Sequence, residues 1–178
     1  EDLKHDLSWV QGRPLHSIFI GGGTPSLMSG NFYKQLLSQV EALIPFEQNI
    51  EISLEANPGT AEQSRFDGYR QAGINRLSLG IQSFNTEHLS QLGRIHNAEE
   101  AINAVTMAQN AQFDRINVDL MYGLPNQTPD QALLDIQQAV NLGTTHISWY
   151  QLTIEPNTEF YSRPPVLPEE ETLYKIHT

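Results

Sequence analysis

The sequence predicts an α/β fold in which about five parallel strands curl into a partial barrel. Three observations predict it. Five short β-rich runs recur: Ser17–Gly21, Ile50–Ala56, Arg76–Ser83, Arg115–Tyr122 and Ile147–Ile154. Their starts lie 33, 26, 39 and 32 residues apart, room for a strand, a loop, a helix and a second loop. Helix signals fall between the runs, and three of the runs alternate apolar with polar residues.

The helices are placed by their ends. Thr60-Ala61-Glu62-Gln63 reads as a capping box, with Thr60 as N-cap and Gln63 reaching back. Gly73 stands where a left-handed residue would end that helix. Asn97-Ala98-Glu99-Glu100 repeats the box before Ala101–Asn110. Thr128-Pro129-Asp130-Gln131 combines N-cap, N1 proline and N3 glutamine. The helix after it shows an apolar face at Leu133, Ile136, Ala139 and Val140 and stops at Gly143. Further helices are expected over Asn31–Ile44 and Thr86–Leu92. Strands alternating with helices imply right-handed crossovers and a mainly parallel sheet.

Parallel strands covered on both faces read as continuous apolar runs. Here Ile50, Ile52 and Leu54 oppose Glu51, Ser53 and Glu55. Leu77, Leu79 and Ile81 oppose Ser78, Gly80 and Gln82. Ile116, Val118 and Leu120 oppose Asn117, Asp119 and Met121. The apolar faces can pack under helices. The polar faces suit either an open sheet with one wet side or a barrel with a ligand-holding lumen. Helices all on one face of a curling sheet favour the barrel. Glu55, Gln82 and Asp119 come late in their strands, at the end where such folds gather their sites.

Composition narrows the chemistry. The 178 residues suffice for one domain with a core, and 39% hydrophobic with 17% charged residues describes a globular chain. The net charge of −11, with ten scattered Lys and Arg, argues against nucleic acid as a partner. No apolar run reaches the roughly 18 residues of a membrane span, and no signal-peptide pattern is present. With zero cysteines the chain offers no disulfide, thiol nucleophile or Cys-ligated metal. The six His include no pair at metal-ligand spacing. A cytoplasmic location fits. Helix-like stretches already running at Leu3, Leu7 and Val10, and again at Leu173–Ile176, suggest a segment cut from a longer protein. Residues 155–178 are expected to form a loop and the start of the next helix.

Gly21-Gly22-Gly23-Thr24-Pro25 follows the first strand. No Gly-Lys-Ser/Thr follows, so it is not a P-loop, and Pro25 and Ser26 break the dinucleotide fingerprint. It reads either as a tight turn or as backbone freed to approach a ligand.

A resemblance now becomes specific. The glycine loop, Glu55-Ala56-Asn57-Pro58, Gly80-Ile81-Gln82-Ser83-Phe84, Leu92-Gly93-Arg94-Ile95-His96 and Asp119-Leu120-Met121-Tyr122-Gly123-Leu124-Pro125 occur in this order and at matching spacing in one family. The chain resembles the radical S-adenosylmethionine (SAM) family of oxygen-independent coproporphyrinogen III oxidases, and within it the HemW-like haem chaperones. The likeness runs from about Leu15 onward. It implies an incomplete (β/α)6 barrel, bound SAM and a [4Fe–4S] cluster. Carried over by position, Gly22, Gly23 and Thr24 match the loop that holds the amino-acid end of SAM, and Glu55, Gln82, Arg94 and Asp119 match further SAM contacts. The family's Cys-x3-Cys-x2-Cys cluster motif is missing, so any cluster ligands lie outside this chain and the chain alone is expected to be inactive.

The resemblance implies two functions. A chaperone would bind haem and pass it to a haem-accepting protein. An oxidase would decarboxylate coproporphyrinogen by radical chemistry in haem biosynthesis. Ile95-His96-Asn97 after Arg94 follows the chaperone-like pattern. His96 is either a haem ligand or, more simply, an exposed polar residue at a helix start. Trp149 and Tyr150 are expected in the core or lining the cavity. A structural segment without independent activity is the third reading.

Overall fold

The computed structural model describes residues 1–177. Two short helical turns open it, α1 (Asp2–His5) and α2 (Leu7–Val10), followed by strand β1 (Leu15–Ile20). Then come α3 (Gly30–Leu43), β2 (Phe46–Ala56), α4 (Gln63–Gln71), β3 (Arg76–Gln82), α5 (Thr86–Gln91) and α6 (Ala98–Asn110). The chain continues through β4 (Arg115–Tyr122), α7 (Pro129–Asn141), β5 (His146–Gln151), α8 (Glu159–Ser162) and α9 (Glu170–His177). All five strands pair in parallel in the order β1-β2-β3-β4-β5.

The sheet is curled. In a flat sheet the two edge strands would stand about 19 Å apart, four spacings of about 4.8 Å. Here one cavity of about 240 Å³ is bounded by Phe19 of β1, Ser53 of β2, Ser78 of β3, Asn117 of β4 and Ser148 of β5. Strand alternation therefore resolves as the lumen of a half-barrel. On the convex side Ile52, Leu54, Leu77, Leu79, Val118 and Leu120 are buried under the helices. Each contributes roughly 1.5–3 kcal/mol of burial.

Side chains just ahead of two strands complete the ladder of the strand before. Asn75 accepts from the Ile52 N–H at 2.9 Å and donates to the Ile50 carbonyl at 2.8 Å. Thr145 Oγ1 accepts from the Ile116 N–H at 2.9 Å. These bonds satisfy backbone groups that the next strand starts too late to reach.

Two capping boxes form as expected. Asn97 exchanges bonds with Glu100, and Thr128 with Gln131, with Pro129 in the first turn. The third does not. Thr60 ends a 3-10 turn, α4 starts at Gln63, and its N-cap Glu62 makes no side-chain cap. The Thr60 hydroxyl is engaged elsewhere: it donates to the Asn57 carbonyl at 3.0 Å and lies 3.1 Å from Ser26 Oγ. The apolar face expected on α7 is corrected in part: Ile136 packs against the core and Ala139 is buried, as expected. Leu133 and Val140 are exposed, while Ala132, Asp135 and Ala139 face inward. The helix packs through Ala132, Ile136 and Ala139.

Candidate functional site

A cleft of about 230 Å³ opens at the C-terminal ends of β2, β3 and β4. Gly23 and Thr24 border it from the glycine loop, Glu55 from β2, and Gly80 and Gln82 from β3. Asp119 comes from β4, and Arg94 from the loop after α5. Six of the seven site residues expected from the sequence thus meet at one cavity. The seventh, Gly22, touches it indirectly: its N–H donates to Glu55 Oε2 at 3.2 Å.

The glycine loop is shaped by backbone and held by side chains from the helices. Gly22 and Gly23 sit at φ of 80° and 59°, where L side chains are strained. The Tyr33 phenol donates to the Pro25 carbonyl at 2.6 Å, and the Tyr69 phenol to the Ser26 carbonyl at 2.6 Å. Both rings are buried and meet edge to face at 5.7 Å. The Arg65 guanidinium donates to the Ser26 and Leu27 carbonyls. Sequence reading missed all three anchors; they lie on helices, and no local pattern connects them to the loop.

Asp119 is fixed within the lumen. Ser78 Oγ donates to its Oδ2 at 3.0 Å and Asn117 Nδ2 to its Oδ1 at 2.9 Å. Ser148 Oγ in turn donates to Asn117 Oδ1 at 3.1 Å. At the N-terminal ends of β3 and β4, Glu51 bridges Arg76 at 3.1 Å and Arg115 at 2.8 Å. Burial pushes the Glu51 pKa up, but the bonds from Arg76 and Arg115 outweigh it and hold the carboxyl below its ordinary range. These two arginines answer one carboxylate and leave Glu55 and Asp119 to face the cleft.

Arg94 folds back over the sheet, its Nη2 donating to the Gly80 carbonyl at 3.3 Å. It is a cleft residue rather than a surface one. A Cβ on Gly80 would stand 3.5 Å from Arg94 Nη2 and 3.5 Å from Gln82 Nε2. Two donors therefore converge above a residue with no side chain of its own. Burial draws the Arg94 pKa down, while Tyr150 and Asp119 pull it back up.

His96 is not the exposed polar residue at a helix start that one reading made of it. It is buried, with Nε2 donating to the Ile81 carbonyl at 3.0 Å. An imidazole so placed is not exposed, and its other nitrogen, Nδ1, has no hydrogen-bond partner among the described residues. Trp149 packs against Tyr122 on the convex side, ring centres 4.7 Å apart, and Tyr150 turns inward to Gln82.

The cleft suits a ligand carrying both donors and acceptors. Carboxylates can accept from an ammonium or from hydroxyls, and Arg94 offers a fork to a carboxylate. It does not suit a metal cluster: the chain has no cysteine, and no metal-competent group of His, Cys, Asp or Glu forms among the described residues.

Known proteins place this geometry. The chain is 57% identical over 99% of its length to the haem chaperone HemW of Haemophilus influenzae. It is 52% identical over 98% of its length to HemW of Escherichia coli. It spans 47% and 46% of those proteins, about half of each. Among solved structures, the radical SAM coproporphyrinogen III oxidase HemN of Escherichia coli matches with a TM-score of 0.87 at 27% identity, over 99% of this chain and 41% of that one. The archaeal Elp3 of Methanocaldococcus infernus matches with a TM-score of 0.77 at 16% identity, over 99% of this chain and 48% of its own, a likeness of fold. The sequence model of the Radical SAM superfamily covers residues 1–139. Half-barrel, cleft and sequence agree, and the chain belongs to the radical SAM superfamily.

Proposed function

We propose that this chain is the SAM-binding core of a longer haem chaperone, a protein that binds haem and delivers it to haem-accepting proteins. Residues 1–178 are then one part of a barrel domain whose remaining strands and cluster cysteines lie elsewhere in the protein. The observation that carries the SAM assignment is the convergence of Glu55, Gln82, Arg94 and Asp119 on one cleft beside the glycine loop. On this reading Gly22, Gly23 and Thr24 hold the amino-acid end of SAM. Glu55 and Asp119 accept hydrogen bonds from it, and Arg94 and Gln82 donate. SAM bound to a reduced [4Fe–4S] cluster supplies radical chemistry, and this chain has no residues to ligate such a cluster. The haem assignment rests on likeness to the HemW proteins. The protein would work in the cytoplasm.

The test uses the full-length protein with its cluster reconstituted anaerobically. Glu55→Ala and Asp119→Ala should each weaken SAM binding in calorimetry by about tenfold or more, as expected for a lost charge-assisted hydrogen bond. Unchanged affinity in both would sink the cleft assignment. Haem should bind stoichiometrically, and coproporphyrinogen should persist when incubated with SAM and reductant. Efficient turnover of coproporphyrinogen would make the protein an oxidase instead.

A further inference from the structure

The inward face of α7 carries a carboxylate that the cleft does not account for. Asp135 is 3% exposed and makes no ion pair among the described residues. Burying a carboxylate costs several kcal/mol unless its oxygens are satisfied. Both are: Ser83 Oγ donates to Oδ2 at 2.7 Å, and the Phe84 N–H donates to Oδ1 at 2.7 Å. Ser83 Oγ also accepts from the Asn85 N–H at 3.0 Å. Asn85 then caps α5, accepting from the N–H groups of Glu87 and His88. One side chain from the outer layer thus holds the whole turn after β3.

That turn starts from a strained residue. Gln82 has φ of 73°, and the β3–β4 register shifts between Leu79 and Gln82. A glutamine in the left-handed region stores roughly 1–3 kcal/mol and persists only where its surroundings over-determine it. Asp135 supplies that constraint from the residues immediately following. The conformation it holds brings the Gln82 amide over Gly80 beside the Arg94 guanidinium.

We infer that Asp135, which does not line the cleft, is a positioning residue for ligand binding: it holds Gln82 in its left-handed conformation and so aims the Gln82 amide at SAM. The inference rests on the SAM reading above. A purely structural Asp135 would support the fold without any special link to Gln82, so the two roles separate by coupling.

The experiment measures SAM affinity by anaerobic calorimetry on the full-length, cluster-bearing protein, with folding checked by circular dichroism. Asp135→Ala should weaken SAM binding by about tenfold, the scale of a displaced binding group. In a Gln82→Ala background the same change should cost less than about twofold, because the residue it serves is gone. Asp135→Asn, which keeps an acceptor for the Phe84 N–H and a partner for Ser83, should stay within about threefold of the native protein. Unchanged affinity in Asp135→Ala, or an equal loss in both backgrounds, overturns the inference. If Asp135→Ala does not fold, Ser83→Ala is read the same way, with about threefold expected in the native background and none in Gln82→Ala. Glu55→Ala is the control for the reading beneath: full affinity there overturns the SAM site itself. A loss there with none in Asp135→Ala overturns the positioning role alone.

Discussion

The Tyr150 phenol on β5 donates a 2.7 Å hydrogen bond to Oε1 of Gln82 on β3, 68 residues earlier in the chain. The bond decides which end of the amide faces the cleft. With Oε1 occupied, Nε2 is left over Gly80, beside Arg94. Burial raises the Tyr150 pKa, and Asp119 raises it further, so the phenol stays protonated and remains a donor. Tyr150→Phe removes the donor with little change in shape. SAM affinity of the full-length protein should fall about fivefold, matching a net hydrogen bond of about 1 kcal/mol, with secondary structure intact. Calorimetry checks it; equal affinity would mean that the amide orientation does not matter.

Helices α3 and α4 touch through two glycines. A Cβ on Gly30 would lie 2.5 Å from the Gly68 carbonyl carbon, whereas a Cβ on Gly68 would meet Gly30 at an ordinary 3.4 Å. Gly30→Ala must push the helices apart and should cost roughly 1–3 kcal/mol. Gly68→Ala should be near neutral or stabilising, since alanine gains about 1 kcal/mol of helix propensity. Chemical denaturation of both variants tests the asymmetry. The same separation would move Tyr33 and Tyr69, so Gly30→Ala should also loosen the glycine loop.

Two histidines make stability depend on pH. Burial holds the His88 and His96 pKa values below the ordinary 6.5. Asp135 and Glu87 oppose the shift at His88; at His96 the Ile81 carbonyl opposes it, while Arg94 deepens it. The unfolded chain therefore takes up protons that the folded chain refuses. Their stabilising contribution is complete above about pH 6.5 and is lost as the pH falls from there toward the depressed values. Urea midpoints should drop between about pH 7.5 and about pH 5.5, and more shallowly in His96→Gln. An unchanged slope in that variant would remove His96 from the account.

The two threonines read as N-caps should behave differently. Thr128→Ala removes a bond to the Gln131 N–H and should cost about 1 kcal/mol in thermal or urea unfolding. Thr60 caps nothing, so Thr60→Ala should instead release Ser26 and the chain beside the cleft. It should weaken SAM binding more than it lowers the unfolding midpoint.

Strands, most helices and the polar lumen were legible in the sequence because they are periodic and local. A capping box such as Asn97–Glu100 closes within four residues, so sequence suffices to find it. Alternation in β2, β3 and β4 put Glu55, Gln82 and Asp119 on one face, and a shared cleft is where they are found. The glycine loop stood out locally as either a tight turn or a ligand approach, while its role in holding SAM, and Arg94 altogether, entered by resemblance, since nothing local ties a loop arginine to a glycine turn.

What the sequence determined by itself was the order of elements, the polar face of the sheet and the superfamily. These follow from hydrogen bonds and side-chain periods that span a few residues. Only the tertiary structure decided that Thr60 serves Ser26, that His96 is buried, that α7 turns Asp135 inward, and that Tyr150 sets the Gln82 amide. Each of those depends on a partner 15 to 68 residues away. Such a partner is chosen by how the sheet curls and the helices pack over it, and no local pattern in the chain encodes that choice.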